Sequence, residues 1–321
     1  MRGAAGFLRA CKSQALGLLS MNLEKPNARP SQIIVDVLGG DQPRVWDTTQ
    51  PLIFADDLAA IRGDGVFETM MLRDGHVKNV ELHRSRFLSS AAMLNLPVPD
   101  MDLWLAATEL AVEQFHAQVG ELAESDEAAL RWVYSRGRES TGAATGWIVI
   151  TVMGEELTRA RTSGLKVMTA ERGFRIDLSQ RSPWALVGAK TLSYAANMAA
   201  LRYAKSKDLD DVIFVSDEGH LMEGPTSSII VMKGKTLLTP PIEAGVLPGT
   251  SQAALFRIAA ERGWDVAYRT MTVEDLLEAD GVWLVSSVRA AAPVTEVDGQ
   301  ALQRPSNAAE VEAMVWEAVT S

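Results

Sequence analysis

The segment Lys190-Thr-Leu-Ser-Tyr194-Ala-Ala-Asn197-Met-Ala-Ala-Leu-Arg202 decides how the rest of this chain is interpreted. Between Val187 and Tyr194, Lys190 is the only charged residue, so this lysine lies in an apolar stretch. Burial lowers the pKa of an amine, and imine chemistry requires a neutral amine. A lone lysine is usually a solvated surface charge, so a functional role for Lys190 depends on partner groups elsewhere in the chain.

Two segments C-terminal to Lys190 contain the groups that would accompany such a lysine. Glu223 lies in the turn-like Met-Glu-Gly-Pro-Thr-Ser-Ser segment, and Gly249-Thr250-Ser251 opens a predicted helix. A helix start offers free N–H donors and the positive end of the helix dipole to an anion. Each segment alone fits an ordinary surface turn or Pro/Gly loop. Taken together, the lysine, the carboxylate and the anion-binding turn indicate a pyridoxal phosphate site.

The composition argues against several classes of protein: nucleic-acid-binding, membrane-spanning, disulfide-rich and metal-binding. The chain has 321 residues, is 47% hydrophobic and carries a net charge of −10, which argues against nucleic-acid or anionic-membrane partners. No apolar run approaches the length of a membrane span. The single Cys11 excludes an internal disulfide framework, and the four histidines show no metal-ligand spacing, so no metal site is predicted.

Local patterns predict an α+β first half, with strands and helices grouped rather than alternating. Asp74-Gly75 is typical of a tight hairpin turn, and Asp100 is a good N-cap for a helix. Residues 154–163 are polar without a strong apolar period and are predicted to form a domain junction. The predicted domains are an N-terminal α+β domain at 31–153 and a C-terminal cofactor-binding domain at 164–321.

Residues 1–30 are predicted to form a flexible extension without a targeting role. Arg9 and Lys12 interrupt any apolar core of a signal peptide, and Met21 is an alternative start. The polar stretch 24–30 contains two prolines and is typical of a linker.

Several segments resemble the class IV aminotransferases, the fold-type IV pyridoxal phosphate enzymes, across about three quarters of the chain. The resemblance implies an α+β/α/β, two-domain fold like that of D-amino acid aminotransferase, and a homodimer. Its motifs are specific in combination rather than singly. The matching segments are Arg62–Thr69, Leu82–Phe87, Ser135–Gly137, Lys190–Asn197, Glu223–Ile229, Leu247–Gln252, Val285–Ser287 and Pro293-Val294.

The resemblance also implies residue roles on the cofactor side. Lys190 resembles the Schiff-base lysine and proton shuttle, Glu223 the carboxylate that pairs with the pyridine nitrogen, and Arg86 the phosphate-binding arginine. The family's phosphate turn, usually Gly-Ile-Thr-Arg, is Gly-Thr-Ser-Gln here, which keeps a hydroxyl but loses the arginine. The predicted cofactor-binding residues are Lys190, Glu223, Arg86, Thr250, Ser251, Ser287 and Tyr194.

On the substrate side, Thr69 lies where the lyases of this family carry a substrate-side threonine, and it is predicted to be catalytic with Lys190. The predicted substrate-binding residues are Thr69, Phe67, Arg136 and Arg138.

The choice of reaction rests on what the chain lacks. The stretch 138–146 contains no Arg-x-His carboxylate trap of the D-amino acid enzymes, and the Tyr-Ile-Arg-Pro and Gly-Gly-Asn-Tyr segments of branched-chain enzymes are missing. We therefore expect a 4-amino-4-deoxychorismate lyase of folate precursor synthesis, in the cytoplasm, acting on a small amino-acid-like substrate. The alternatives are a D-amino acid or branched-chain aminotransferase, and a catalytically silent binding protein on the same fold.

Overall fold

The computed structural model of this protein describes residues 32–119 and 127–321. The predictions for residues 1–30 lie outside these ranges. Within the described ranges, no helix is both long enough and apolar enough to cross a membrane.

An antiparallel six-stranded sheet, in the order β2-β1-β6-β5-β3-β4, forms the first half of the described chain. The predicted hairpin is confirmed: Asp74 and Gly75 both have positive φ (50° and 75°), as a tight turn between two strands requires. The strands are β1 (Gln32–Asp36), β2 (Arg44–Val45), β3 (Gly65–Arg73), β4 (His76–Val77), β5 (Ala128–Ser135) and β6 (Thr145–Val152).

Three helices accompany this sheet: α1 (Leu58–Arg62), α2 (Val80–Met93) and α3 (Met101–Val119). α3 begins directly after its predicted N-cap Asp100, whose carboxylate accepts from the N–H groups of Asp102 (3.1 Å) and Leu103 (3.3 Å). The inner faces of α2 and α3 cover an aromatic core in which Phe87 packs 5.0 Å from Trp104 and 5.4 Å from Trp132.

A second, mixed sheet runs in the order β11-β10-β9-β12-β13-β7-β8, with β14 paired to β13. Its pairs are antiparallel except β10–β11, β13–β7 and β7–β8, which are parallel. The strands are β7 (Leu165–Glu171), β8 (Asp211–Val215), β9 (Ser228–Lys233), β10 (Thr236–Thr239), β11 (Asp265–Tyr268), β12 (Gly281–Ser286), β13 (Ala290–Val297) and β14 (Gln300–Ala301).

The helices of this half are α4 (Glu155–Ser163), α5 (Leu178–Arg181), α6 (Ala195–Lys205), α7 (Thr250–Glu261), α8 (Val273–Leu277) and α9 (Ala308–Thr320). Helix α4 occupies the polar stretch predicted to be a junction. Its sequence has little apolar character and none of its residues is buried, which explains why periodicity does not reveal a helix. The division into domains at 31–153 and 164–321 stays a prediction.

Alternate side chains of β3 point to opposite faces of the strand. One face packs in the core of the first half, and the other face contributes both to a second core and to a cavity. Val66, Met70 and Leu72 are buried in the core under α2 and α3, whereas Met71 belongs to a second core with α7 and α9. Phe67 and Thr69, on the same face as Met71, line a cavity of about 860 Å³.

Candidate active site

A cavity of about 860 Å³ lies between β3 and β5 of the first sheet and the loops of the second. This volume is in the range of small-molecule and cofactor sites. Of the predicted residues, those that line it are Lys190, Glu223, Arg86, Thr250, Ser251, Ser287, Tyr194, Phe67 and Thr69. The fold therefore brings together residues that are up to 220 positions apart.

The backbone holds Lys190 from two sides. Its N–H donates to the Ser90 hydroxyl (3.1 Å) and its carbonyl accepts from the N–H of Phe67 (3.0 Å). Its Nζ lies 4.4 Å from the centroid of the Phe67 ring. Burial, with the nearby charge of Arg86, lowers the pKa of Lys190 from 10.5 to about 8. A substantial neutral fraction near physiological pH makes this amine a competent nucleophile.

Glu223 follows the antiparallel bridge between Val215 and Leu221, and its carbonyl accepts from the N–H of Phe214 (2.9 Å). One of its carboxylate oxygens accepts from the N–H of Leu247 (3.0 Å). Burial raises its pKa, whereas the cations of Arg172 and Lys190 oppose that rise. A carboxylate in this setting gains stabilisation from any cationic group placed against it.

Hydroxyl groups cluster at the start of α7. Thr250 and Ser251 are its first two residues, and each lies 3.3 Å from the Ser287 hydroxyl. A Cβ at the preceding Gly249 would clash with the Ser228 hydroxyl, so the Ser228 side chain would have to move. Free N–H groups, hydroxyls and the helix dipole form a site suited to a phosphate group.

Arg86 lines the cavity beside this cluster, and a fully buried glutamate holds it there. Its guanidinium donates to both oxygens of Glu68 (2.8 and 2.6 Å) and to the carbonyl of Pro248 (2.8 Å). Burial raises the pKa of Glu68, but the charge and hydrogen bonds of Arg86, helped by a hydrogen bond from His83, lower it to about 2. Glu68 is therefore ionised and keeps Arg86 oriented.

His83 also belongs to this network, although the sequence analysis does not include it among the site residues. Its Nδ1 donates to Glu68 (2.6 Å), and its Nε2 lies 3.1 Å from the Ser287 hydroxyl and 3.3 Å from that of Thr250. Burial lowers its pKa. The His-x-x-Arg spacing that identifies Arg86 is the available signal, since residues three apart share a helix face.

Tyr194 forms part of the cavity wall, and its hydroxyl donates to the carbonyl of Pro225 (2.5 Å), which the Asn197 amide also reaches (2.7 Å). Its ring meets Phe67 edge-on at 5.3 Å. Burial and the charge of Glu223 raise its pKa to about 12, so the phenol stays protonated. Tyr194 thus fixes the turn that follows Glu223.

Arg136 and Arg138 do not line this cavity. Arg136 pairs with Asp64 (2.7 Å), and Arg138 pairs with Asp56 (3.0 Å) and covers the Phe54 ring (3.9 Å to its centroid). No contact within the described chain therefore supports their substrate role, which remains a prediction.

Three other arginines line the cavity and are not singled out by the sequence. Arg131 faces Thr69 across the β3–β5 pair, with its Nε 3.3 Å from the threonine hydroxyl. Arg172 stacks on Phe214 (4.4 Å), and its Nη1 has no hydrogen-bond partner among the described residues. Arg289 pairs with Asp211 (2.6 Å). Strand register and long-range packing bring them here, and neither is visible as a local pattern.

These donors fit a phosphorylated pyridine aldehyde. Lys190 supplies an amine with a lowered pKa, Glu223 a buried carboxylate, and the start of α7 with Arg86 a dianion site. Within residues 32–119 and 127–321, no three His, Cys, Asp or Glu side chains are grouped as metal ligands. The fold and this donor set define a pyridoxal phosphate enzyme of fold type IV.

Comparisons with known proteins agree that this is a pyridoxal phosphate enzyme. A family model described as amino-transferase class IV matches residues 65–297, and the chain belongs to this family of pyridoxal phosphate enzymes. A bifunctional aminodeoxychorismate lyase / D-amino acid transaminase of Mycobacterium tuberculosis is 42% identical over 278 residues, which cover 84% of this chain and 94% of that protein. The chain is thus a pyridoxal phosphate-dependent lyase or aminotransferase.

Solved structures show the same fold. A hypothetical aminotransferase from Mycobacterium tuberculosis in its PLP-bound form has a TM-score of 0.84 at 41% identity, covering 90% of this chain and 99% of that one. The fold IV-transaminase CpuTA1 from Curtobacterium pusillum has a TM-score of 0.84 at 38% identity, covering 91% and 100%.

Proposed function

We propose that this protein is a 4-amino-4-deoxychorismate lyase that releases 4-aminobenzoate and pyruvate, with transamination of D-amino acids as a secondary activity. The observation that carries the proposal is the Thr69–Arg131 pair in the cavity wall. It offers a hydroxyl and a cation in the same cavity as Lys190, and Thr69 lies on the same face of β3 as Phe67, whose ring centroid is 4.4 Å from the Lys190 Nζ. The bifunctional name of the Mycobacterium tuberculosis relative supports the same pair of activities.

The lyase reaction needs little from the protein beyond proton movement and orientation. The cofactor, when bound, supplies the electron sink for the substrate carbon that loses a proton. Lys190, with its lowered pKa, is the base that takes this proton. The C–O bond to the enolpyruvyl group then breaks, its electron pair leaves on the enolpyruvate oxygen, and the ring becomes aromatic. The enolpyruvate gains a proton, for which the protonated Lys190 is the donor, and becomes pyruvate.

The cations of the cavity match a substrate with two carboxylates. Arg86 and Arg289 are paired with Glu68 and Asp211. Arg131 and Arg172 have no carboxylate partner among the described residues. We infer that Arg131, next to Thr69, contacts a substrate carboxylate, since a guanidinium binds carboxylates well.

The same cations favour a transaminase as the second candidate, since amino donors and keto acids also carry carboxylates. A branched-chain aminotransferase is a weaker candidate, because a wall with Arg131 and Arg172 suits an apolar side chain poorly. A silent binding protein would not need a lysine with a lowered pKa. Purified protein that stays colourless with added cofactor would support that alternative.

Parallel kinetics with aminodeoxychorismate, D-alanine plus 2-oxoglutarate, and L-leucine plus 2-oxoglutarate test the proposal. We expect aminodeoxychorismate to have the highest kcat/KM. If D-alanine is far more efficient, the transaminase assignment replaces the lyase.

Thr69→Val removes the hydroxyl at nearly constant volume. We expect lyase kcat/KM to fall by roughly tenfold to a hundredfold, because a hydrogen bond made in the transition state is lost. Thr69→Ser is the matched control, since it keeps the hydroxyl and is expected to stay near the parent value. Unchanged lyase kinetics in Thr69→Val would contradict a substrate role for Thr69.

We also propose a homodimer in the cytoplasm. Large apolar side chains stay exposed on the single chain, with Trp184 at 78%, Phe54 at 57% and Tyr203 at 56%. A contiguous patch of such side chains would be typical of a surface that another chain covers. Light scattering at micromolar concentration is expected to give twice the mass of 34.8 kDa, and a mass near one chain would contradict the dimer.

A further inference from the structure

We propose that Arg161, on helix α4, is a positioning residue that clamps the cavity-lining turn 286–290 in its binding conformation. The inference concerns the family's cofactor and does not depend on the substrate proposed above. This turn joins β12 to β13 and contributes Ser287 and Arg289 to the cavity. Arg161 itself lies behind the turn and does not line the cavity.

The contacts of Arg161 are directed at the backbone of this turn. Its Nε donates to the carbonyl of Arg289 (3.0 Å) and its Nη2 to the carbonyl of Val288 (2.8 Å). The same Nη2 donates to Glu127 (2.8 Å). Since a guanidinium is a rigid fork, these acceptors fix the position of the two carbonyls relative to α4.

The turn needs such support because it is strained. Ala290 has a φ of 57°, in the left-handed region, and is buried. A three-residue hairpin loop commonly places glycine in this conformation, because a Cβ is disfavoured there. Strained backbone persists only where its surroundings over-determine it.

Arg161 is itself firmly held. Glu127 is buried and also accepts from Arg73 (2.9 Å), so one carboxylate joins two guanidinium groups. The Trp316 ring lies 4.7 Å from Arg73 and 5.0 Å from Arg161. Arg161 is therefore held by Glu127, which precedes β5, together with Arg73 on β3 and Trp316 on α9.

Displacement of this turn would change the predicted phosphate-binding region at the start of α7, because Ser287 belongs to both. The Ser287 hydroxyl contacts His83 (3.1 Å) and Thr250 (3.3 Å), so its position links α2 to the start of α7. Arg289 reaches the Thr226 hydroxyl (3.2 Å) in the turn after Glu223. A shift of the two carbonyls would move both side chains away from these partners.

The test compares Arg161→Lys, Arg161→Met and the control Arg159→Met, which alters an exposed arginine of the same helix. The dissociation constant of pyridoxal phosphate is measured by tryptophan fluorescence on the apoprotein, with the thermal midpoint of each variant recorded. We expect both Arg161 variants to bind about tenfold more weakly, because two charge-assisted hydrogen bonds are lost. Arg161→Lys keeps a cation beside Glu127 and is expected to keep the thermal midpoint near that of the parent.

Ala290→Gly separates clamping from a general loss of packing. Glycine adopts the left-handed conformation freely, so Arg161→Met is expected to weaken binding less in the Ala290→Gly background than in the parent. Parent-like affinity in both Arg161 variants, an equal loss in Arg159→Met, or an undiminished loss in the glycine background would each overturn the proposal. No substrate is present, so these outcomes are independent of the lyase assignment.

Discussion

Lys190 and Glu223 are perturbed in opposite directions by the same cavity. Burial disfavours the charged form of each, which lowers the pKa of the lysine to about 8 and raises that of the glutamate. The lysine thereby gains nucleophilicity, and the glutamate gains affinity for a proton or a cation. Titratable groups perturbed in this way are common at functional sites.

The pH dependence of lysine labelling tests the first perturbation. Apoprotein treated with pyridoxal and borohydride is expected to label Lys190 at a rate that rises with pH and levels off above about 8, because only the neutral amine reacts. Mass spectrometry locates the adduct. Lys190→Ala should lose this labelling and turnover, leaving surface lysines that react only at higher pH. An adduct on another lysine would place the site elsewhere.

Glu223→Gln tests the second perturbation. We expect pyridoxal phosphate to stay bound while turnover falls on the order of a hundredfold or more, because an amide does not keep a ring nitrogen protonated. Absorbance of the bound cofactor and steady-state rates measure the two effects separately. Turnover near that of the parent would show that Glu223 is only a turn residue.

At the scale of elements, the buried carboxylate of Glu68 links β3 to α2 by hydrogen bonds and an ion pair. Glu68 on β3 accepts from both His83 and Arg86, which lie three residues apart on α2. Its pKa of about 2 is below the ordinary 4.5, so the stability it contributes is present above about pH 4.5. That contribution is lost as the pH falls from 4.5 toward 2.

Glu68→Gln is expected to lower the free energy of unfolding by about 3 kcal/mol or more at neutral pH, because Arg86 is left without its buried counter-charge. The loss should shrink when unfolding is measured at progressively lower pH below 4.5, where the parent carboxylate also protonates. Glu81→Gln is the control, since Glu81 pairs with Arg84 on the exposed side of α2. A pH-independent difference between parent and Glu68→Gln would contradict this account.

How far the sequence predicts each element depends on whether the stability of that element is local. The Asp74-Gly75 hairpin and helices α3 and α7 have turn residues or helix-start residues of their own, and are predicted. Helix α4 lacks these, and contacts such as that of Arg161 with Glu127 hold it instead.

The candidate site likewise contains residues that the sequence predicts and residues that it does not. Lys190, Glu223 and the Gly249–Ser251 turn are recognisable because short sequence segments carry them. Arg131 is not, because its proximity to Thr69 arises from pairing between strands 62 residues apart.

In the molecule as a whole, the net charge is negative, whereas the charged side chains that line the cavity are mainly positive. The chain carries a net charge of −10, yet the candidate active-site cavity is lined by Lys190 and by four arginines, Arg86, Arg131, Arg172 and Arg289. An acidic exterior limits non-specific binding of anions, and the cationic interior selects those that fit. Fold and charge together explain why an acidic protein is suited to phosphorylated and carboxylated ligands.

The alternation of β3 has an evolutionary consequence. Positions 67 and 69 face the cavity, whereas positions 66, 68 and 70 face the interior. Mutations at the first set can redirect substrate preference while the protein still folds, and mutations at the second are removed through loss of stability. A one-residue insertion in β3 would move the cavity-facing side chains to the interior and the interior side chains to the cavity. Such an insertion would destabilise the fold and is expected to be removed by selection. Divergence of specificity in this lineage is thus expected to accumulate at positions 67 and 69 and not at their buried neighbours on the same strand.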